Sequence, residues 1–265
     1  MSIRAKISET IEAIKARKSK KNALNGLVAY IKDNYTSKHT QKTYLSLARK
    51  ALRENGIEDN KKVLSLSDKE YKKLNDAYVV RRNKKALNLI PIQQKAFDAM
   101  ISEAVKMLDS DSYLCQLSAV LLLTGRRTVE VCKGGVFVNV SNKDYIRFRG
   151  LAKKRTEEKQ RFIKIFLLGG NIKKIQRITK EMQLRFADKT EQQINRMLAS
   201  NLKRTIKKYF PKLDNYSAHE LRKLYAAKIK KDNPLSNANL LLSQVLGHSK
   251  NDATTALSYE KYVIV

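Results

Sequence analysis

Cysteine, histidine and acidic residues are scarce in this chain of 265 residues, which has two Cys, three His and 25 Asp+Glu. Cys115 and Cys132 lie in apolar surroundings and at no metal-ligand spacing, which argues against a disulfide scaffold or a zinc site and predicts reduced thiols. No stretch approaches the run of about 20 apolar residues that a membrane span requires. Charges occupy the first segment, where a signal peptide would have its apolar core. We therefore expect a cytoplasmic protein without a membrane partner.

Positive charge dominates what is present. The 55 Lys+Arg exceed the 25 Asp+Glu by thirty, so the formal net charge is +30. Such an excess opposes compaction unless a polyanion offsets it, and each cation that neutralises a phosphate releases a condensed counterion. An AT-rich coding sequence would also enrich lysine, but the acidic residues have not risen to match. The charge therefore favours a nucleic acid over a membrane surface.

Apolar residues recur at helical spacing through the first ninety residues, in stripes that begin at Ile3, Leu24 and Tyr44. A fourth helix is predicted from Ser67, whose hydroxyl can cap the helix while Glu70 returns the bond. These features predict a small helical domain.

The string VRRNKKALNLIP, between Val80 and Pro91, has no helical periodicity and is interpreted as a basic linker. Pro91 is predicted to begin the next helix. The boundary therefore falls near residue 90, with residues 1–90 forming a helical DNA-binding domain and residues 91–265 a second domain. The linker cations are expected to contact phosphates, and they are Arg81, Arg82, Lys84 and Lys85.

The second domain combines helices with a short β region. YLCQLSAVLLLTG is apolar throughout and predicts a buried helix. Alternation from Val136, in YIRFRG and in RFIKIFLL, predicts three short antiparallel strands, after which helical periodicity returns. The fold class is mainly α with a small antiparallel β-sheet (α+β), in two domains.

Several polar residues stand in unusual company. Arg126 and Arg127 follow the buried helix and Gly125, where Glu130 could pair with Arg127 and orient its guanidinium. Cations at a helix C-terminus also complement its dipole, so this feature alone is weak.

The string AHELRKLYA predicts a largely buried helix with His219 and Arg222 on one face, and a buried cation needs an anionic partner. His248 follows a glycine, and Tyr259 and Tyr262 lie one turn apart near the end of the sequence. Each of these features alone is weak, since a turn histidine or a packed tyrosine pair is common.

Their order along the chain is more specific. TGRR with an acidic residue three further on, HxLRxxxA, LGHS and a late tyrosine resemble the tyrosine recombinases. GLAKKRTEEK and GRRTVEVCKGGVFV resemble most the telomere resolvase (protelomerase) branch of the tyrosine recombinase and type IB topoisomerase superfamily. The resemblance is strong over residues 118–262 and only architectural over the helical first ninety residues.

The resemblance implies an enzyme that breaks and rejoins DNA without metal, ATP or another cofactor. Tyr259 would attack the phosphorus and leave a 3′-phosphotyrosyl link, while guanidinium and imidazole groups stabilise the charge on the phosphate oxygens. Lys153 would protonate the departing 5′-oxygen, with Lys154 as the close competitor. The implied catalytic set is Arg127, Lys153, His219, Arg222, His248 and Tyr259.

The implied partner is double-stranded DNA with an inverted-repeat site, bound by a homodimer, and the implied product is a covalently closed hairpin end. The remaining predicted DNA contacts are Arg126, Lys154 and Arg155. Three alternatives stay open: a conventional integrase, a DNA-binding relative without catalysis, and an RNA-binding protein. The last leaves the ordered motifs unexplained.

Overall fold

The structure is a computed structural model that describes residues 1–16, 18–59, 63–141, 144–152, 161–247 and 258–265. Two compact units divide the chain, Met1–Asn83 and Lys84–Val265. The division lies within a helix, a few residues before the boundary expected near residue 90.

The first unit is helical. Serines cap the first three helices by accepting hydrogen bonds from backbone N–H groups, which suits serine at a helix start. Ser67 and Glu70 form the predicted reciprocal cap, with the Glu70 amide 3.3 Å from the serine hydroxyl. The helices are α1 (Ile3–Lys15), α2 (Lys20–Asn34), α3 (Lys38–Glu54) and α4 (Asp68–Leu87).

The predicted basic linker is helical instead of irregular, because α4 continues to Leu87. Its last turns are rich in Lys, Arg, Ala and Leu, which are strong helix formers, but Arg81 and Lys84 are exposed. The side chains of this segment that the structure describes are exposed, and a helix without a buried face needs no apolar stripe. The segment is therefore helical although its sequence has no helical periodicity.

The second unit is organised around one buried helix. Its described helices are α5 (Gln94–Met107), α6 (Tyr113–Thr124), α7 (Ile172–Arg185), α8 (Glu191–Tyr209), α9 (Ala218–Asp232) and α10 (Ala238–Leu246). The residues of α6 from Leu117 to Thr124 are all buried, which confirms the predicted buried helix, and α5, α7, α8 and α9 pack against it. Cys115 and Cys132 are both buried free thiols.

The three predicted antiparallel strands form one sheet in sequence order, with Val136 opposite Arg149 and Tyr145 opposite Phe166. A π-helical turn, Glu130–Gly134, leads into it. Its strands are β2 (Val136–Val138), β3 (Tyr145–Arg149) and β4 (Ile163–Phe166).

A second strand pair was not predicted. β1 (Ile90–Ile92) and β5 (Tyr262–Ile264) pair in parallel, so Pro91 lies in a strand and α5 begins only at Gln94. The prediction that Pro91 starts a helix was wrong, because this segment pairs with β5, more than 170 residues away along the chain.

The fold is mainly α with a small antiparallel sheet and two units, which confirms the predicted fold class. None of the helices in the described part of the chain has the length and apolar character needed to cross a bilayer.

Close backbone packing holds the sheet against the π-helical turn. β3 leaves the sheet at Gly150, which has a φ of +94°, and a Cβ there would overlap the carbonyl oxygen of Gly134. Gly134 itself has open space where its Cβ would lie.

We predict that Gly150→Ala lowers the free energy of unfolding by about 2–4 kcal/mol, because it combines a left-handed backbone with a steric overlap. Gly134→Ala is the matched control, and it should change stability by less than about 1 kcal/mol. Denaturant unfolding monitored by circular dichroism measures both. Equal effects of the two substitutions would contradict the close approach described here.

Candidate active site

Arg127 is held by the carboxylate of Glu130 at the end of α6. That helix ends at Gly125, whose left-handed conformation turns the chain out of the buried core. The Arg127 amide donates to Glu130 Oε2 at 2.9 Å, and its guanidinium Nη1 donates to Oε1 at 2.7 Å. The predicted pairing is therefore confirmed, and it orients a side chain that is only 21% exposed.

Arg222 joins three elements from within the core. On α9 it is buried, and its guanidinium donates to the Gly125 carbonyl and, at 2.7 Å, to the carbonyl of Leu246 at the end of α10. Glu130 lies 3.8 Å away as the anionic partner that a buried cation requires. Burial lowers the pKa of Arg222 and Glu130 opposes that shift.

The Glu130 carboxylate is fully buried among these cations. Burial alone would raise its pKa, but Arg222, Arg126 and Arg127 outweigh burial and hold the pKa of Glu130 below its ordinary value. The carboxylate therefore stays ionised at neutral pH. The amide of Ala152 also donates to it, at 3.3 Å.

The phenol of Tyr259 contacts both Arg127 and Arg222. The phenol is buried, and the guanidinium carbon of Arg222 lies 5.2 Å from the centre of its ring. Burial opposes ionisation, but the charges of Arg222 and Arg127 and their hydrogen bonds to the phenol outweigh it and lower the pKa of Tyr259. The phenolate, which is the nucleophilic form, is thereby favoured.

The ring of His219 packs against that of Tyr259, with 5.1 Å between the ring centres. Although the residue as a whole is exposed, desolvation of its ring and the charges of Lys223 and Arg222 lower its pKa. The imidazole is therefore neutral near pH 7, with one nitrogen that donates and one that accepts.

Tyr262 occupies a different environment from Tyr259. Its hydroxyl donates to Glu220 Oε2 at 2.8 Å, and Lys261 Nζ lies 2.7 Å from the same oxygen. Burial, followed by the hydrogen bond to Glu220, raises the pKa of Tyr262. This bond uses the phenolic proton of Tyr262 and ties β5 to α9.

Glu220 is the residue of this region that sequence reasoning missed. It lies between His219 and Arg222 in the HELR string, is buried on α9, and also contacts Lys223 at 2.6 Å. Through Lys261 and Tyr262 it connects the helix that carries Arg222 to the segment that carries Tyr259. The sequence does carry a signal for Glu220, because it is an acidic residue among basic ones in a helix that was predicted to be largely buried.

Arg126 requires a correction. It was predicted to contact DNA, yet its side chain is fully buried and donates to the carbonyls of Thr124 at 3.2 Å and Val245 at 2.6 Å. Its guanidinium lies 5.0 Å from the ring centre of Phe148 on β3. Burial, then the charge of Arg222, lower its pKa to about 10. Arg126 thus links α6, α10 and β3 inside the core.

Four predicted site residues lie outside the described residues, namely Lys153, Lys154, Arg155 and His248. Arg126, Arg127, Arg222 and Glu130 form a group that we call the arginine cluster. Of the described residues next to the four, Ala152 donates to Glu130 in this cluster, and a Cβ on Gly247, the left-handed cap of α10, would overlap Leu151.

Of the predicted DNA contacts on α4, Arg81 and Lys84 are exposed, and the side chains of Arg82 and Lys85 lie outside the described part. Over the described residues, no group of three or more His, Cys, Asp or Glu side chains is arranged to hold a metal ion.

Comparison with known proteins identifies the family. Residues 88–262 match the family described as the telomere resolvase ResT/TelK catalytic domain. The chain belongs to this family. The predicted telomere resolvase resemblance is thereby confirmed, and the match spans the whole arginine, histidine and tyrosine cluster.

Individual relatives agree with this assignment. The telomere resolvase ResT of Borreliella burgdorferi is 30% identical over 176 residues, which are 61% of this resolvase-family chain and 37% of that protein. The match thus spans well under half the length of that relative.

Two solved structures share the fold. A protelomerase TelA covalently complexed with substrate DNA aligns with a TM-score of 0.79 at 21% identity, over 99% of this chain and 88% of that one. A protelomerase TelK complexed with substrate DNA aligns with a TM-score of 0.63 at 19% identity, over 99% of this chain and 59% of that one.

We predict that the two neighbouring tyrosines titrate on opposite sides of the ordinary tyrosine pKa of about 10. NMR of chains labelled with ¹³C at tyrosine Cζ, recorded against pH, measures each phenol. Tyr259→Phe should remove a resonance that ionises below pH 10, and Tyr262→Phe should remove one that ionises above it. The reverse order would contradict the arrangement of arginines around Tyr259.

Proposed function

We propose that this chain breaks and rejoins DNA through a 3′-phosphotyrosyl intermediate on Tyr259, and that it converts inverted-repeat junctions into covalently closed hairpin ends. One observation carries the proposal. Tyr259 is in contact with Arg127, Arg222 and His219. All four residues lie within the stretch that matches the telomere resolvase catalytic domain. The names of the structural relatives, which include covalent complexes with substrate DNA, support it.

In the proposed first step the Tyr259 oxygen attacks the phosphorus, and the bond from phosphorus to the 5′-oxygen breaks. Arg127 and Arg222 stabilise the charge that develops on the non-bridging oxygens, as fixed donors do without reorganising. We assign the phenolic proton to the neutral imidazole of His219, whose ring centre lies 5.1 Å from that of Tyr259.

The 5′-oxygen leaves as a hydroxyl and needs a proton. We assign that proton to Lys153, with Lys154 as the competitor, and we assign a further phosphate contact to His248. The energy of the broken bond is kept in the phosphotyrosyl link, so a second 5′-hydroxyl can reverse the step, and no metal or ATP enters the balance.

Closure as a hairpin requires that the 5′-hydroxyl attack the link on the opposite strand of its own half-site. Two protomers on an inverted repeat supply two such links, so we propose a homodimer on double-stranded DNA, acting in the cytoplasm. Bending and unpairing the centre of the site costs several kcal/mol, which protein contacts must offset. Attack on a second duplex would give ordinary recombination instead.

We predict that Tyr259→Phe abolishes the covalent adduct while leaving DNA affinity within about threefold, because only one hydroxyl is removed. Tyr262→Phe is the matched control and should still form the adduct. Incubation with nicked inverted-repeat DNA in excess EDTA, followed by denaturing electrophoresis, measures the adduct. An adduct formed by Tyr259→Phe, or one that requires added magnesium, would refute this mechanism.

We predict that a linear inverted-repeat substrate gives strands of doubled length that snap back on cooling, which denaturing gels reveal. Two differently labelled duplexes in the same reaction should not exchange labels. Exchange without doubled strands would identify a conventional recombinase. A chain that binds the site but forms neither product nor adduct would be a DNA-binding relative without catalysis.

A further inference from the structure

The outward face of the β2–β3–β4 sheet has an unusual composition. The opposite face is apolar and packs in the core, with Ile146, Phe148 and Ile165 buried. Alternation places three cations on the outward face, together with aromatic and valine side chains and no acidic residue. We call this set the basic sheet face, and it consists of Val136, Val138, Tyr145, Arg147, Arg149, Phe162, Lys164 and Phe166.

Two cations of this face stand directly opposite each other. Arg147 on β3 and Lys164 on β4 are paired in the register, and both are exposed. Like charges at directly opposite positions destabilise an antiparallel pair. In the described part of the chain no carboxylate lies within 4.0 Å of Arg147, Arg149 or Lys164 to offset this repulsion. An anion from outside the chain would offset it.

Aromatic rings lie against two of these cations, Lys164 and Arg149, and order their side chains without neutralising their charge. Lys164 Nζ lies 4.3 Å from the ring centre of Tyr145 and 4.9 Å from that of Phe166. The guanidinium carbon of Arg149 lies 5.3 Å from the ring centre of Phe162, which is itself 42% exposed. Ordering the side chains in advance lowers the entropy cost of binding a ligand.

The face begins beside the proposed active site. β3 ends at Arg149, and three residues later the amide of Ala152 donates to Glu130 at the centre of the arginine cluster. A long polyanion that enters the cluster can therefore continue along this sheet. A repeating line of phosphates fits a row of fixed cations better than a single small anion does.

We propose that the basic sheet face binds the sugar–phosphate backbone of duplex DNA next to the cleaved phosphate. This inference rests on the proposed function, which supplies the duplex. Lysine and arginine contacts to phosphates position a duplex without reading its bases. The contribution of this face is therefore the same for specific and non-specific sequences.

The test compares two charge-matched double variants. Arg147→Gln/Lys164→Gln removes the opposed cations. Arg196→Gln/Lys203→Gln removes two exposed cations on α8 that have no ion pair in the described part of the chain. Each is combined with Tyr259→Phe, so that equilibrium binding to duplex DNA is measured across salt concentrations without covalent capture.

We expect the sheet variant to reduce the slope of log affinity against log salt by about 1.8, since each lost phosphate contact removes about 0.9. Arg147→Gln alone should remove about half of this, and the α8 variant should change the slope by less than about 0.5. The unfolding temperature of the sheet variant should be no lower than that of Tyr259→Phe alone, because the repulsion between two like charges has been removed.

An unchanged slope, or an equal loss in the α8 variant, overturns the inference. A loss confined to single-stranded DNA overturns it in favour of an unpaired strand. Adduct formation by the unsubstituted chain at saturating DNA separates this test from the proposed function. If the unsubstituted chain forms the adduct and the sheet variant has an unchanged slope, only the sheet inference fails. If the sheet variant has a lower slope and the unsubstituted chain forms no adduct, only the proposed chemistry fails.

Discussion

The second unit depends on the ionic interaction between the buried carboxylate of Glu130 and three arginines. Three guanidinium groups, from Arg126, Arg127 and Arg222, lie in or beside the core, where uncompensated charge is costly. Removing one partner of a buried ion pair typically costs about 3–5 kcal/mol. One carboxylate stabilises the three cations in the fold and still leaves the group with an excess of positive charge.

The acid–base behaviour of this group follows from the same contacts. The folded state holds the pKa of Glu130 below its unfolded value, so the stabilisation is fully present above that unfolded value and is lost only as the pH falls through the lower, folded pKa. The cluster is therefore insensitive to pH near neutrality. The charge of Glu130 therefore does not change over the pH range in which Tyr259 ionises.

Local patterns predicted most of the fold and the pairing of Arg127 with Glu130, whereas the candidate catalytic set came from the family resemblance. Caps such as Ser67 with Glu70, the apolar α6 and the alternating strands depend on neighbours in the sequence, and all are present. Arg127 with Glu130 was predictable because three residues separate them. The pairing of β1 with β5 and the bonds of Glu220 were not, because each joins distant parts of the chain. Arg126 was misjudged because sequence does not tell which of two adjacent cations turns inward.

The parallel pairing of β1 and β5 brings together two segments that lie far apart in the sequence. Residues Ile90–Ile92 and Tyr262–Ile264 are one strand spacing apart, about 4.8 Å. Tyr259 lies three residues before Tyr262, the first residue of β5. The position of its phenol beside Arg127 and Arg222 therefore depends on a strand pairing between segments that are more than 170 residues apart in the sequence.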